Sequence, residues 1–308
     1  MTDTKDLPGF QELDGEDAAA TMAPVKKFDV TPYQTHWHPE EICGTFPATP
    51  DTYFLFGRWD ALVRRSAADW RVWGRVLDVA CGNARDIAAL NERGWEGWGL
   101  DPSPLQLRDA KEAAERSGRR INLIQGVSEW LPFKQGMFDA VICKSALDHF
   151  VDLEGGMSEF VRVLKPDGRA VVSVDNYRSL STRFSRFLYR ILRLAWPPAR
   201  RKHLFWDSPV PRQHMYECTF QNTRDLGRPY FVELESYGVS LLWGFPGWGR
   251  FLSLSPARIS SIILRSLNQV ARRVPRLADV VVFVWQPTGT ASAGTEVESV
   301  RKSQRADE

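Results

Sequence analysis

Asp78 and Asp101 are the first residues whose types and spacing could support binding chemistry. Each lies at or near the end of a short apolar run, RVLDVA (75–80) and EGWGLD (96–101). The first run leads into a turn of small residues around Gly82, where the backbone can bend sharply and approach a ligand closely. A carboxylate at the end of the second run can accept hydrogen bonds from both hydroxyls of a ribose. The spacing therefore indicates a site for a ribose-containing ligand.

Two further considerations narrow the nature of this site. Asp101 alone could be an exposed loop acid, or the N-cap of the helix that follows Pro102. Its position downstream of the Gly82 turn favours ribose binding instead. The turn holds one glycine and no GxGxxG pattern. A nicotinamide enzyme would hold its pyrophosphate on such a pattern, so a dinucleotide cofactor is disfavoured.

His149 and Asp148 are the candidate catalytic residues, because they follow another apolar run, FDAVICKS (138–145). Imidazole titrates near neutrality and can remove a proton from a reacting group. Asp148 could orient the imidazole or bind the substrate. The alternative is that His149 only packs or forms a hydrogen bond within a loop. The segment 175–177, Asp-Asn-Tyr, leaves the next predicted strand toward the same cleft.

Strand and helix patterns alternate along the chain and must position these residues. The alternation predicts an α/β fold with a doubly wound, mostly parallel seven-stranded sheet and an antiparallel edge. Helical insertions are expected after strand five and between the last two strands. Predicted strands are 75–80, 96–101, 121–126, 138–145, 169–175, 239–244 and 278–286, and predicted helices are 84–94, 104–118, 157–164 and a stretch near 222–236.

The predicted domain organisation is one large domain with two tails. Acidic and small residues at the N-terminus, and polar residues at the C-terminus, predict disorder. The predicted ranges are a disordered tail 1–30, a lid and helix 31–70, the main domain 71–287 with basic insertions 178–215 and 245–276, and a disordered tail 288–308.

Four segments within about residues 70–176 resemble, in order and spacing, the successive motifs of small-molecule S-adenosylmethionine-dependent methyltransferases with a Rossmann-like fold. They are VLDVACGNARD, GLDPSP, GVSEWLPFKQGMFDAVICKSALDHF and EFVRVLKPDGRAVVSV. The resemblance implies S-adenosylmethionine as cofactor and methyl transfer as activity. It implies that the 78–84 turn wraps the methionine portion of the cofactor and that Asp101 holds its ribose. It also implies that residues 127–129 lie beside the adenine and that residues 144–145 run along the methionyl group. The implied cofactor-binding residues are Asp78, Ala80, Cys81, Gly82, Asp101, Pro102, Ser128, Glu129 and Lys144.

The chain departs from the family pattern at two places, and a third feature separates it from enzymes that methylate amino groups. Ala80 and Ala84 stand where the family usually has glycine, which makes the turn less permissive. Val127 stands where an aspartate often reaches the adenine, so Glu129 or backbone groups would have to serve. The segment 144–150, KSALDHF, lacks the Asn/Asp-Pro-Pro-Tyr-like sequence of enzymes that methylate amino groups of bases or glutamine.

The leading hypothesis is methylation of a small-molecule acceptor, with oxygen preferred over nitrogen or carbon. The absence of a base-type motif and of a recognisable RNA-binding module predicts no nucleic-acid partner. The alternative function is a non-catalytic relative that binds S-adenosylmethionine and regulates or scaffolds a partner. An aminopropyl transferase would carry a pair of acidic substrate residues after strand four, and none is apparent.

Two basic segments interrupt an otherwise balanced charge distribution. Residues 178–203 contain seven Arg and one Lys, residues 250–276 contain six Arg, and neither segment contains an acid. Arg183, Arg186, Arg190 and Arg193 share one arc of a helical wheel beside an apolar arc. Such helices either pack on the domain and expose their arginines, or meet an anionic membrane or an amphiphilic acceptor.

The sequence also bears on the cellular compartment of the protein and on whether it binds a metal. The N-terminus lacks an apolar signal-peptide core, no apolar run is long enough to span a bilayer, and the four cysteines are scattered. These features predict a cytoplasmic protein, with a peripheral position at the inner membrane face as the alternative. His36, His38, Glu40, Glu41 and Cys43 form a cluster without a second ligand pair, so we expect no metal, and an aromatic lid there instead.

Overall fold

The computed structural model describes residues 48–195 and 215–288, which form one seven-stranded sheet with helices on both faces. The strands are β1 (Arg75–Val79), β2 (Glu96–Asp101), β3 (Asn122–Gln125), β4 (Phe138–Lys144), β5 (Leu164–Asp175), β6 (Phe231–Val239) and β7 (Val280–Pro287). The helices are α1 (Pro50–Ala68), α2 (Arg85–Asn91), α3 (Pro104–Arg116), α4 (Leu153–Val163), α5 (Leu180–Ala195), α6 (Phe220–Gly227), α7 (Trp248–Leu254) and α8 (Ala257–Arg273).

The strand order is β3-β2-β1-β4-β5-β7-β6. Strands β1 to β5 are parallel, and β7 runs antiparallel to both of its neighbours. The predicted fold class, a mostly parallel seven-stranded sheet with an antiparallel edge, is confirmed. The order reverses between β1 and β4, so the carboxyl ends of β1, β2, β4 and β5 meet at one edge, where ligands bind in doubly wound sheets.

Apolar side chains cover both faces of the central strands, as expected for parallel strands buried between helix layers. On one face Leu77 and Val141 belong to a core with Phe160 of α4. On the other face α1 buries Leu55, Trp59 and Val63. The Trp59 indole also donates a hydrogen bond to Ser173 Oγ in β5 at 2.8 Å, which fixes the position of α1 along the sheet.

The helix predicted near 222–236 exists only as far as Gly227, and the predicted strand 239–244 is wrong. Helix α6 ends at Gly227, where any Cβ would lie 2.6 Å from the Trp285 ring, and β6 then runs from Phe231 to Val239. This strand is at the sheet edge and its middle residues are exposed or half-buried, so its sequence lacks the apolar run of a buried strand. Ser240 and Leu242 have φ angles of +62° and +67°, which excludes a strand there.

The other predicted boundaries shift by a few residues. Helix α4 begins at Leu153 because the Asp152 side chain caps it by accepting a hydrogen bond from the Gly155 N–H. The predicted insertions contain α5 in the first and α7 with α8 in the second. The predicted lid 31–47, the tail 1–30 and the tail beyond Thr288 lie outside the described residues. In the part of the chain that is described, no helix combines the length and apolarity needed to cross a membrane.

Candidate functional site

The turn between β1 and α2 alternates left-handed residues. Ala80, Gly82 and Ala84 have φ angles of +57°, +52° and +55°. The Cys81 N–H donates to the Leu100 carbonyl at 3.1 Å, which holds the turn over the end of β2. Left-handed alanines cost roughly 1–2 kcal/mol each. Strain of this kind persists where the surrounding structure enforces it, commonly at ligand sites.

Asp101 supports this turn from the end of β2. Its Oδ2 accepts a hydrogen bond from the Gly82 N–H at 2.8 Å, and its Oδ1 accepts one from the Ser103 N–H at 2.8 Å. Burial raises the pKa of Asp101 to about 6, although both donors oppose the shift. Ser103 is the N-cap of α3, so the alternative role of Asp101 as the cap does not apply. Each carboxylate oxygen keeps a second lone pair that a ribose hydroxyl can use.

A group of four charged side chains, which we call the charge network, lies beside the turn. It consists of Asp60 and Arg64 from α1, Asp86 from α2 and Lys144 from the end of β4. Lys144 Nζ donates to Asp60 Oδ1 at 3.0 Å and also to Asp86, and Arg64 Nε donates to Asp86 Oδ1 at 2.6 Å. Burial acts to lower the pKa of Lys144, but the two carboxylates outweigh it and the pKa is raised. Lys144 is therefore a cation in this site.

Asp78 lies in β1 next to the charge network and is almost completely buried. Burial raises the pKa of Asp78, Asp86 and Asp101 add to the rise, and Lys144 and Arg64 oppose it. The sequence analysis identified Asp78 and Lys144 but missed Asp60, Arg64 and Asp86. The available signal was the i,i+4 pair of Asp60 and Arg64, which places opposite charges on one helix face.

The predicted adenine segment makes its contacts within the protein. Ser128 Oγ donates to Glu129 Oε2 at 2.6 Å. Glu129 Oε1 accepts hydrogen bonds from the backbone N–H groups of Val151 and Asp152 at 2.9 and 3.1 Å. Glu129 thus anchors the loop that carries His149, and its contact with the adenine stays a prediction. The Pro102 carbonyl accepts a hydrogen bond from Gln125 Nε2 at 3.0 Å.

Polar side chains gather at the ends of β4 and β5 and form what we call the β4–β5 cluster: Ser145, Asp148, His149, Asp175 and Tyr177. Ser145 Oγ donates to Asp175 Oδ2 at 2.5 Å, and His149 Nε2 lies 3.9 Å from Asp148 Oδ1. Burial raises the pKa of Asp148 to about 7. Burial also raises the pKa of Asp175 to about 6, with Ser145 and His149 opposing the rise and Asp148 adding to it.

Tyr177 of the β4–β5 cluster is joined to Cys218 through the backbone. The Tyr177 N–H donates to the Cys218 carbonyl at 3.0 Å. Burial raises the pKa of the Tyr177 hydroxyl, and Asp148 and Asp175 add to the rise, so the phenol stays protonated. Tyr177 was a sequence candidate through the 175–177 segment. Cys218 was missed, since it lies on a loop with no motif around it.

His149 connects the two halves of the site. A protonated imidazole at this position lowers the pKa of Asp101 and that of Asp175, so His149 is coupled electrostatically to both carboxyls. The structure therefore brings the predicted ribose acid and the predicted base to one edge of the sheet. Within the described ranges no group of three potential metal ligands occurs, and the predicted cluster 36–43 lies outside them.

The residues present fit S-adenosylmethionine. An added Cβ at Gly82 would meet only Gln106 Oε1, at 3.7 Å, so the turn faces open space rather than packed protein. The buried Asp101 carboxylate suits a ribose diol. The charge network supplies charges of both signs, as the zwitterionic amino-acid end of the cofactor requires.

The buried acids predict a measurable pH dependence. Asp148 titrates near 4 in an unfolded chain and near 7 in the folded protein. Between these values the folded state binds more protons, so the free energy of unfolding falls as the pH rises. We expect Asp148→Asn to remove this loss and to stabilise the protein by about 2–4 kcal/mol at pH 8, with little difference at pH 4.

Urea unfolding at pH 4.5, 6 and 8 measures this effect. Asp225→Asn is the matched control, because Asp225 lies exposed on α6 and receives only a Gln221 side-chain bond. The free energy of unfolding of this control should change with pH as that of the wild type does. If the free energy of unfolding of the Asp148→Asn variant also changes with pH as that of the wild type does, Asp148 has an ordinary pKa and its burial has no cost in stability.

Comparisons with known proteins agree with this fit. A model of the methyltransferase domain family matches residues 77–172. An uncharacterised methyltransferase, YcgJ of Bacillus subtilis, is 32% identical over 131 residues, which are 42% of this chain and 51% of the relative. A ubiquinone biosynthesis O-methyltransferase of Azorhizobium caulinodans is 29% identical, over 52% of this chain and 65% of the relative. The chain spans about half the length of several curated relatives that it matches.

A solved structure shares the fold. The PH0226 protein of Pyrococcus horikoshii has a TM-score of 0.53 and 19% identity, and the match covers 80% of this chain and 99% of the PH0226 chain.

A sequence relative shows the family. A demethylmenaquinone methyltransferase of Corynebacterium kroppenstedtii is 30% identical over 165 residues, which are 50% of this chain and 69% of the relative. Because that match extends over more than two thirds of the relative, the chain belongs to the Rossmann-like methyltransferases, whose cofactor is S-adenosylmethionine.

Proposed function

We propose that this protein transfers the methyl group of S-adenosylmethionine to a hydroxyl oxygen of a small amphiphilic molecule. The observation that carries the proposal is the β4–β5 cluster, in which Ser145 bonds to Asp175 and His149 lies 3.9 Å from Asp148. It stands at the same edge of the parallel strands as Asp101 at the end of β2, so the ribose end of the cofactor and the reacting end of an acceptor would meet at that edge.

The bound cofactor supplies a methyl group on a positively charged sulfur, which is already a good leaving group. The protein therefore has to align the acceptor and take up its proton. His149 is the proposed base, and Asp148 is the proposed orienting or acceptor-binding group. Asp78, Ala80, Cys81, Gly82, Asp101, Pro102, Ser128 and Lys144 are the proposed cofactor contacts.

The charge of the cluster bears on the kind of acceptor. Asp148 and Asp175 are both acidic, and the Asp148 carboxylate adds to the rise in the pKa of Asp175. An anionic group at the reacting centre would be repelled there, whereas a neutral hydroxyl can donate a hydrogen bond to a carboxylate. We therefore place any anionic part of the acceptor away from the reacting end. Relatives named for menaquinone and ubiquinone biosynthesis support an amphiphilic acceptor.

The proposed partners are small molecules, with no nucleic acid. Among the described residues the edge of the sheet that holds the site is acidic rather than basic, which does not suit a phosphate backbone. The cytoplasm is the compartment we propose, because the four cysteines are scattered and show no disulfide-like spacing.

Titration calorimetry tests the cofactor half of the proposal. The purified protein should bind S-adenosylmethionine and S-adenosylhomocysteine. Asp101→Ala should weaken binding by about 1.5–3 kcal/mol, the contribution of hydrogen bonds to a charged group. Asp109→Ala, on the exposed side of α3, is the matched control and should bind as the wild type does.

The outcomes separate the parts of this proposal. No binding by the wild type would overturn the proposed function as a whole. Equal affinity in the Asp101→Ala variant would remove only the role of Asp101. The acceptor half is tested by mass spectrometry of a panel of phenols and hydroquinones incubated with protein and cofactor. Cofactor binding without any methylated product would favour the non-catalytic regulatory or scaffold alternative.

A further inference from the structure

Helix α5 packs on the domain with its hydroxylated face, although its sequence also offers an apolar face. Among the side chains of α5 that are described, those of positions 180–188, 190 and 191, the buried ones are small and hydroxylated: Ser181, Thr182 and Ser185. Ser181 donates a hydrogen bond to the buried Asp279, and Ser179 contacts Thr182 at 2.8 Å between their hydroxyl oxygens. Amphipathic helices of globular domains usually bury their large apolar residues. Here the hydrogen bond from Ser181 to Asp279 holds the hydroxylated face of the first turns of α5 against the domain.

Several large apolar residues in the described part of α5 are exposed. Phe187 is 59% exposed, and Phe184 and Ile191 are about half exposed. Arg183 and Arg190 lie exposed among them. Arg186, which the sequence placed on the same cationic arc, pairs instead with Glu217 at 2.8 Å, and the side chain of Arg193 lies outside the described set.

Helices α7 and α8 also expose large apolar residues next to arginines. Leu254 is 79% exposed at the end of α7, and Ile262 is 65% exposed on α8. Arg258 and Arg265 stand four residues before and three residues after Ile262, so all three share one face of α8. Phe251, Ile259 and Arg250 are exposed beside them.

The two regions adjoin. The Phe184 ring of α5 stacks on the Phe245 ring, in the loop that leads into α7, at a centroid distance of 5.0 Å. Residues 178–195 and 240–278 contain eleven arginines and no Asp or Glu. We call this region the outer surface: the exposed apolar residues Phe184, Phe187, Ile191, Phe251, Leu254, Ile259 and Ile262, with the exposed arginines Arg183, Arg190, Arg250, Arg258 and Arg265.

We propose that the outer surface docks on an anionic lipid bilayer. Exposed apolar residues with exposed arginines among them match the polar boundary of such a bilayer. There, apolar side chains enter the acyl region and arginine forks bind phosphate groups. A second copy of the chain is a poor occupant, because the same surface would bring arginine against arginine. The docking itself is independent of methyl transfer. Its benefit, access to an acceptor held in the lipid layer, rests on the proposed function.

Vesicle flotation of the full chain tests the proposal. The wild type should bind vesicles of phosphatidylglycerol and phosphatidylcholine but not vesicles of phosphatidylcholine alone, and binding should weaken as salt rises. Arg258→Gln with Arg265→Gln should weaken binding to the anionic vesicles about 10- to 30-fold at low salt. Leu254→Ser with Ile262→Ser should also weaken binding, and that loss should persist at high salt.

Arg108→Gln with Arg116→Gln is the matched control. These arginines are exposed on α3, which packs on β2 and β3 at the opposite end of the sheet from α8. The control should bind anionic vesicles as the wild type does. All substituted side chains are exposed, and calorimetry with S-adenosylmethionine reports whether each variant keeps its fold and cofactor site.

Three results would overturn the docking. The wild type might float no better with anionic than with neutral vesicles, or the α3 control could lose as much binding as the α8 pair. Light scattering could also show a dimer that the Leu254→Ser with Ile262→Ser variant abolishes, in which case a second copy covers the surface. Cofactor binding without vesicle binding would leave the proposed function standing and reject only the docking.

Discussion

Replacing His149 with Ala should lower the turnover number about 10²- to 10⁴-fold on an acceptor found in the panel, with unchanged affinity for S-adenosylmethionine. This range is the usual contribution of a general base. The imidazole is partly exposed at the edge where the acceptor would enter, and the Glu129 carboxylate anchors the backbone on its C-terminal side. The loss should therefore fall on the proton-transfer step rather than on binding.

The control for this experiment is Val151→Ala on the same loop. The Val151 side chain is partly exposed, and its backbone N–H keeps the bond to Glu129 in the variant. We expect its turnover to stay close to that of the wild type. Single-turnover kinetics with cofactor affinity measured in parallel separates chemistry from binding. A His149→Ala enzyme with nearly full turnover would remove His149 from the catalytic role and leave Asp148 or Asp175 as the base to test.

Replacing Lys144 with Met should lower the free energy of unfolding by about 2–4 kcal/mol at pH 7. Lys144 bridges Asp60 and Asp86 together with Arg64, so two cations of the charge network serve these two acids and the nearby buried Asp78. Removing it leaves Asp86 facing Asp60 and the buried Asp78 with Arg64 as the remaining neighbouring cation. Breaking one member of a buried ion pair is costly because the other charge stays desolvated.

Lys165→Met provides a matched comparison. Lys165 also donates to a buried carboxylate, Asp139 Oδ1 at 2.9 Å, but this one acid keeps Arg71 on Oδ1 and the Arg75 N–H on Oδ2 in the variant. When Lys144 is removed, by contrast, three neighbouring acids share the single cation Arg64. The expected cost is about 1 kcal/mol or less. The double variant Lys144→Met with Asp86→Asn should lose less than the two single variants together, because the pair acts as a unit. Additive losses in denaturant unfolding would show that the network is not coupled.

The acids that define the site also make it unstable. Asp101, Asp148 and Asp175 all have raised pKa values because they are buried. At neutral pH each contributes less to folding than an uncharged residue of similar size would. The left-handed Ala80 and Ala84 add backbone strain in the same region. A site that costs stability in several independent ways is typical of functional rather than structural residues.

The sequence by itself determined the order of the central elements and the position of the cofactor turn. The runs that became β1, β2 and β4 are buried on both faces, so they read as continuous apolar segments with sharp ends. Because these strands are parallel, residues just after them meet at one edge. Local pattern alone therefore places Asp78, Gly82, Asp101 and His149 in one region.

Only the tertiary structure decided which side chains contact each other across long stretches of chain. Lys144 meets Asp60 across 84 residues, and Glu129 accepts hydrogen bonds from a loop more than 20 residues away. The edge strand β6 was misassigned because half of its residues face solvent and carry no apolar run. Helix α5 shows the same principle most clearly. Its periodicity predicts an amphipathic helix, but the buried Asp279 binds its serine side, and Phe184 and Phe187 are exposed.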